Sequence, residues 1–474
     1  MAVRVSVDTD TWWHLRAGSW IVEHRQILRS DPFSLTRQGQ PWIYPGWLSQ
    51  VVIFGVYQGL GFAGLNLLTG MMVTLAFLAI WQLLEGPLLL RSTVALIAAT
   101  VSGVYWSARP QIFSFVFTGL TLLILEKAAK GRRGWLVALP PLMALWSNLH
   151  GGFAIGFILM ICYFLGEIFT MLGKTGLKIS GLKEAWRGRR GWLVALSIAG
   201  IACALFVGIN PHGFQMLLYP FKTVSIGVLQ DYIQEWQSPN FHRVEAQPFI
   251  WMLILTLISL AKSRIHARPV ELLLVSVFAY LSLMAGRNIA LFAVVTAPIL
   301  ARHADSSLEP LLETRDEGRQ LPERFTRVAN AVFFSLLLIA AILKITPLLS
   351  LETNQQAIAD RNPVEAVEAL LVSEPPGELF NSYNWGGYVL WQLYPAYRSF
   401  VDGRTDLFND DILQEYLLAW RAEAGWESVL DSWGIQVVLI EPQAPLVRAL
   451  EYEGWMTLYA DEQAVVLSIQ AGRD

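Results

Sequence analysis

The run GFAIGFILMICYFLGEIFTML at residues 152–172 decides the fold. As a helix rising about 1.5 Å per residue it is long enough to cross the ~30 Å hydrocarbon core of a bilayer. Upstream lies the polar turn Asn148-Leu149-His150-Gly151-Gly152, and downstream residues 173–190 carry Lys174, Lys178, Lys183, Arg187, Arg189 and Arg190. The same kind of apolar segment recurs at 61–84, 92–107, 111–126, 134–147, 191–209, 247–262, 269–285, 288–301 and 328–347. That predicts about ten spans. Residues 48–60 are apolar too but reach only roughly 20 Å, so they are expected to form the first part of a bent or interfacial helix leading into 61–84.

Composition agrees. The chain is 15% charged, against about 25% for an ordinary soluble domain, and its charges are bunched between the apolar runs. Nineteen tryptophans suit membrane interfaces, where one edge of the ring is apolar and the other wet. A net charge of −3 gives no reason to expect nucleic acid. Cys162 and Cys203 lie inside apolar segments and read as packing, leaving no disulfide framework and no cysteine-based zinc site. The first seven residues hold no apolar core of the kind a cleavable signal peptide needs.

Lysine and arginine set the orientation. Lys127, Lys130, Arg132 and Arg133 fill one connection. The 173–190 run fills a second, Lys262, Arg264 and Arg268 a third, and Arg302, Arg315, Arg319, Arg324 and Arg327 a fourth. Placing these four in the cytoplasm gives a consistent alternation. The turns at 107–111, 148–152, 210–213 and 286–288 then lie outside, together with residues 1–47 and the C-terminal region. These outer turns hold His, Asn, Arg, Gly and Pro in short, specific arrangements, which is the pattern of a site on the outer face of a cell (inner) membrane.

From residue 350 the chain is polar enough to be soluble. Asn362-Pro363 reads as the cap and first residue of a helix through Leu371. Strands are expected at Glu378–Asn381, Arg398–Val401, Ile435–Ile440, Met456–Tyr459 and Ala464–Ile469, alternating with helices at Trp385–Leu393, 410–422, 424–432 and 444–453. This alternation predicts a largely parallel sheet. The fold class is mainly α. An acidic and aromatic loop occupies 1–47, a polytopic helical membrane domain 48–347 and a small α/β domain 350–474.

The densest polar stretch is Asp8-Thr9-Asp10-Thr11-Trp12-Trp13-His14-Leu15-Arg16. Two aspartates spaced D-x-D can hold a divalent ion, or they can be a solvated turn. On a helix Asp10 and His14 share a face, and Arg16 offers a forked phosphate partner. Trp13 to His24 is expected as a short amphipathic helix lying along the membrane surface.

Asp10-Thr11-Trp12-Trp13-His14-Leu15-Arg16 resembles the first external loop of GT-C class membrane glycosyltransferases. The closest pattern is the D-x-x-Y-H-x-R of the oligosaccharyltransferase catalytic subunit. Asp31-Pro32-Phe33-Ser34 and Gly39-Gln40-Pro41-Trp42 are similar to the rest of that loop. The segments Tyr383-Asn384-Trp385-Gly386-Gly387-Tyr388 and Phe400-Val401-Asp402-Gly403-Arg404 are similar to the region that opens the soluble domain of those enzymes. The resemblance implies a GT-C-like scaffold and a polyprenyl-phosphate-linked sugar as donor, with transfer to an acceptor outside the cytoplasm. Membrane lipid, the lipid-linked sugar and the acceptor would be the partners. Asp10 would be the principal catalytic acid group with Asp8 assisting, and the pair would hold Mg or Mn. Those enzymes carry a spanning helix ahead of the acidic loop, which residues 1–47 lack, and a second acidic motif where this chain has Trp106-Ser107-Ala108-Arg109-Pro110-Gln111.

Several residues are then candidates for substrate or phosphate contact. His14 and Arg16 follow the acidic pair. Arg109 either anchors a helix end at the interface or takes phosphate charge in a metal's place. His150 is a turn histidine or a site residue. Glu235, with Asp231 on the longest outer connection, would supply the missing second carboxylate. Arg287 interrupts two apolar segments, where charge is costly unless it faces a cavity. Asp402-Gly403-Arg404 is a structural turn or a substrate contact. The expected function is transfer of a sugar from a polyprenyl-phosphate carrier to an extracytoplasmic acceptor. The alternative is a non-catalytic membrane subunit or binding protein on the same scaffold.

Overall fold

A computed structural model describes residues 2–175, 179–224, 227, 234–313 and 323–469. Asp231, Lys178, Arg315 and Arg319 lie outside the described residues. Eight helices among those described are long and apolar enough to cross a membrane. They fall in α2 (Trp47–Trp81), α3 (Leu88–Ser102), α4 (Gln111–Ala129), α6 (Ala154–Thr175), α7 (Ile179–Val207), α9 (Gln247–Lys262), α11 (Ile289–Glu313) and α12 (Glu323–Leu348). Two shorter apolar helices, α5 (Leu139–Leu149, 11 residues) and α10 (Pro269–Met284, 16 residues), take the places of the two remaining expected spans. The chain is a multi-pass membrane protein.

Burial sorts these helices. The spanning stretches of α4 and α11 are 83% and 78% buried and form the centre of the bundle, whereas that of α12 buries nothing and presents apolar side chains on every side. The bend expected near residue 60 falls at Gly61 (φ 59°, ψ −152°), a backbone conformation essentially reserved for glycine.

The N-terminal segment is held against α2 and α3. Ser6 donates from its N–H and Oγ to Asn66 Oδ1, both at 2.9 Å. Arg4 Nε donates to the Trp106 carbonyl at 2.7 Å, just past the end of α3, where unpaired carbonyls and the helix dipole favour a cation. Helix α1 (Thr11–His24) does not lie on the membrane surface as expected. Trp12, Trp13, His14, Leu15, Ala17 and Ile21 are all buried. Its apolar residues occupy more than one face, so it is enclosed between α2 and the soluble domain rather than floated on one stripe.

In the soluble domain β1 (Glu378–Asn381), β2 (Ile435–Ile440), β3 (Met456–Ala460) and β4 (Val465–Ser468) pair in the order β1-β2-β4-β3. The α/β class holds, but only β1 and β2 are parallel. The reason is the short turn at Asp461, whose Oδ1 accepts from the Gln463 and Ala464 amides. A connection that short can only join antiparallel strands. Arg398–Val401 is not a strand of this sheet. Its backbone is taken by the N-terminal loop, with Leu35 N donating to Ser399 O (2.9 Å) and Thr36 Oγ1 to Phe400 O (2.7 Å). The Asn381 side chain satisfies Phe400 N and Val401 O. The helix expected from Asn362 starts at Val364, because the Asn362 amide turns back to the Ile358 carbonyl.

Candidate active site

The turns at 107–111, 148–152 and 286–288 converge on one cavity of about 1260 Å³, and Arg109 stands at its polar end, whereas the 210–213 turn does not line it. Arg109 precedes Pro110 and the first turn of α4, which directs its side chain toward the start of α1. Its Nη1 donates to Asp10 Oδ2 at 2.7 Å and to Asp8 Oδ1 at 3.2 Å. Its Nη2 donates to Glu235 Oε1 and Oε2 at 2.8 and 2.9 Å and to Gln111 Oε1 at 2.6 Å. The two aspartates are pre-arranged by a turn in which Asp10 N donates to Asp8 Oδ1 at 3.1 Å. Gly403, from the soluble domain, presses on this turn so closely that a Cβ there would fall 1.9 Å from Asp10 Oδ1.

Burial sets the protonation of the cluster. It pushes the Asp10 carboxyl up to about 7. Arg109 opposes that shift, while Asp8 and Glu235 add to it. Burial also resists ionisation of Glu235, but Arg109 and then Arg287 outweigh it and hold that carboxyl below the usual range. His14 is kept neutral by burial, then by Arg109 and His150. His150 is pushed down to about 3 by burial and by Arg287 and Arg109. Its Nδ1 accepts from the Gly152 amide at 3.1 Å and pairs with Ser114 Oγ at 2.7 Å, which in turn accepts from Trp146 Nε1. The ring is thereby fixed as a neutral group.

Arg287 lies on the Gly286–Asn288 turn with its guanidinium 4.3 Å from the centre of the Trp236 ring. Gly286 N donates to Gln237 O, tying this turn to the segment that carries Glu235. Arg287 lines the cavity and, among the described residues, makes no ion pair with a carboxylate. Past it the lining turns apolar. Ile155, Ile158 and Ile161 of α6 are followed by Phe221 of the short helix α8 (Tyr219–Val224). Ile161 and Phe221 are both exposed, so this end of the cavity is apolar and accessible.

Asp10, His14, Arg109, His150, Glu235 and Arg287 therefore share one cavity, and Asp8 sits behind it on Arg109. Arg16 is not brought there. Its guanidinium stacks over the Tyr394 ring at 4.7 Å. Asp402 and Arg404 are a structural turn that clamps Asp31 of the N-terminal loop. A divalent ion on Asp8 and Asp10 does not fit this arrangement. The guanidinium of Arg109 occupies the point where the carboxylates meet, and no group of three His, Cys, Asp or Glu side chains among the described residues is arranged to hold an ion.

Two residues of the cavity wall carried no signal in the sequence. Asp406 opens α16 (Thr405–Trp420), where α15 is Gly386–Leu393, and accepts from the Tyr219 hydroxyl at 3.3 Å. Burial raises its carboxyl to about 6. An acidic residue in a first helical turn and a Tyr-Pro pair are both too common to mark a site.

The fold is shared with solved oligosaccharyltransferase structures. Among solved structures it is similar to the Archaeoglobus fulgidus oligosaccharyltransferase AglB in complex with an inhibitory peptide and a dolichol-phosphate. The TM-score is 0.55 at 13% identity over 93% of this chain and 66% of that one. It is similar also to an Archaeoglobus fulgidus oligosaccharyltransferase tethered to an acceptor peptide containing the NVT sequon (TM-score 0.54, 14% identity, 98% of this chain and 70% of that one). The chain thus spans about two thirds of the length of the first of these. ArnT from Cupriavidus metallidurans bound to undecaprenyl phosphate aligns at a TM-score of 0.46 and 13% identity, covering 99% of this chain and 95% of that one. No family model matches the sequence, and no curated protein matches it.

Proposed function

We propose that this protein is an integral membrane glycosyltransferase that moves a sugar from a polyprenyl-phosphate-linked donor to an acceptor outside the cytoplasm. The observation that carries this reading is the single cavity joining Asp10, Arg109, His150, Glu235 and Arg287 to an apolar groove along α6. Residues 48–347 would form the membrane domain, and residues 1–47 and 350–474 would cover its outer face. The donor's chain lies along α6, because that groove is apolar and accessible. Its phosphate faces Arg287, a cation stacked on Trp236 and, among the described residues, not paired with a carboxylate. The acceptor enters from the soluble-domain side and meets Asp10.

In transfer, the acceptor's nucleophilic atom bonds to the anomeric carbon while the carbon–oxygen bond to phosphate breaks. The polyprenyl phosphate leaves with the electron pair, stabilised by Arg287. The acceptor proton passes to Asp10, whose carboxyl is poised near neutrality. The dolichol-phosphate in the AglB complex supports this donor class.

The test is transfer from a panel of polyprenyl-phosphate sugars, comparing wild type with Asp10→Asn. Loss of a general base of this kind is expected to slow transfer by about 100-fold or more. Equal turnover would remove Asp10 from the reaction. No turnover from any donor would favour the non-catalytic reading.

A further inference from the structure

We infer that Arg109 is a resident counter-ion, a side-chain cation holding the place among Asp8, Asp10 and Glu235 that a divalent metal would need. The inference rests on the sugar-transfer reading for its meaning but not for its measurement.

Two segments distant in sequence from Arg109 bring carboxylate oxygens to its guanidinium. Asp8 and Asp10 come from the turn before α1, and Glu235 from the segment preceding α9. All of them approach the two terminal nitrogens at 2.7–3.2 Å. Hard divalent cations bind carboxylate oxygens at about 2.0–2.6 Å, so an ion ligated by these oxygens would overlap the guanidinium. Arginine cannot escape by losing its proton. Its fork addresses Asp8 and Asp10 through one nitrogen and Glu235 through the other, which a lysine's single ammonium cannot reproduce. Gln111 Oε1 accepts a further bond from Nη2 at 2.6 Å, fixing the plane of the fork. Arg109 is thus engaged in holding two loops onto the cavity. Arg287 is left to meet the phosphate, and the chemistry proposed above proceeds without a divalent ion.

The test uses the full-length chain purified in detergent, with Mn²⁺ as the probe and electron paramagnetic resonance as the readout. The Mn²⁺-binding readout requires no donor, so failure of the sugar-transfer reading leaves that readout intact. Wild type is expected to bind no stoichiometric Mn²⁺. Its transfer should stay within about twofold after chelation with EDTA. Arg109→Ser is expected to open the carboxylates and bind about one Mn²⁺ per chain, and adding Glu235→Gln should abolish that binding. Arg109→Lys, which keeps the charge, is expected to bind none while losing transfer. Stoichiometric Mn²⁺ on wild type that Glu235→Gln removes would overturn the inference. So would transfer that falls more than about tenfold in EDTA and returns with Mn²⁺, or a folded Arg109→Ser that binds no ion. Should Arg109→Ser fail to fold, the wild-type measurements decide alone.

Discussion

Arg109 and Arg404 solve the same electrostatic problem in two different ways. Each is a buried arginine that gathers aspartates, and each joins the N-terminal loop to a distant segment. Around Arg404 the arrangement is closed. Asp31 and Asp402 are fully buried. The remaining acceptor sites of Asp31 are filled by the Phe33 and Ser34 amides, and the rings of Phe33, Trp42 and Phe408 surround the guanidinium. Around Arg109 the arrangement is open. The side chains of Asp8, Asp10 and Glu235 keep 20%, 23% and 44% of their exposure, and the cluster faces a cavity large enough for a substrate. In the first cluster every oxygen is committed. In the second, oxygens remain for something that enters. Charge pairing alone does not separate a structural cluster from a working one; access does.

The sharpest way to break this comparison is to remove the closed arginine. Arg404→Met fills a similar volume but leaves Asp31 and Asp402 without a counter-charge in a site that water does not reach. Such a loss costs on the order of 3–5 kcal/mol. The expected outcome is failure to obtain a monodisperse folded protein, or a large fall in Tm followed by intrinsic tryptophan fluorescence. Arg404→Lys should not rescue it, since one ammonium cannot satisfy both aspartates with the geometry of the fork. A variant that unfolds at the wild-type temperature would show that the closed cluster is not what pins the loop to the soluble domain.

Arg287 tests the open side. It lines the cavity and packs on Trp236 without an ion pair among the described residues. Arg287→Gln is therefore expected to leave Tm nearly unchanged. A charge-assisted hydrogen bond is worth about 1.5–3 kcal/mol, so KM for the lipid-phosphate donor should rise by about 10- to 100-fold. If Tm falls while KM holds, Arg287 belongs with Arg404 as a structural residue and the phosphate site lies elsewhere.

The sequence made the open cluster partly legible and the closed one hardly at all. The apolar runs are local signals, so the helices and even the bend at Gly61 could be read from periodicity and length. Asp10 and His14 lie four residues apart and do share a helix face. Arg16 lies two residues beyond His14, about 200° around the helix, and so points away to Tyr394. The pairing of Arg109 with Glu235 spans 126 residues and was readable only as a missing carboxylate in want of a supplier. Basic residues counted as orientation signals carry a second duty. Arg268 bonds Glu126, and Arg302 bonds Glu271, at 2.9 Å each, because a cation at a helix end finds the nearest carboxylate whatever its role in insertion. The parallel sheet was expected from alternation alone, which cannot see that the last connection is too short for a crossover.

Asp406 gives the smallest effect and the finest test of access, since it lines the same cavity as Arg109 and its carboxyl also feels Arg404. Its folded carboxyl is raised to about 6 by burial, against about 3.9 in an unfolded chain. The folded protein thus holds the proton more tightly than the unfolded one. Below about pH 4 both states are protonated and the contribution to stability is fully present. As pH rises through about 6 the folded state must ionise against its surroundings, and that contribution is lost. Two units correspond to at most about 3 kcal/mol, and water in the cavity reduces the net effect to on the order of 1 kcal/mol. Asp406→Asn cannot ionise and still accepts from Tyr219. Its Tm relative to wild type should therefore improve between pH 4 and pH 7 by a few degrees. An offset that stays constant over that range would mean that Asp406 titrates as an ordinary exposed carboxylate, and that the cavity wall beside it is wetter than the wall around Asp10.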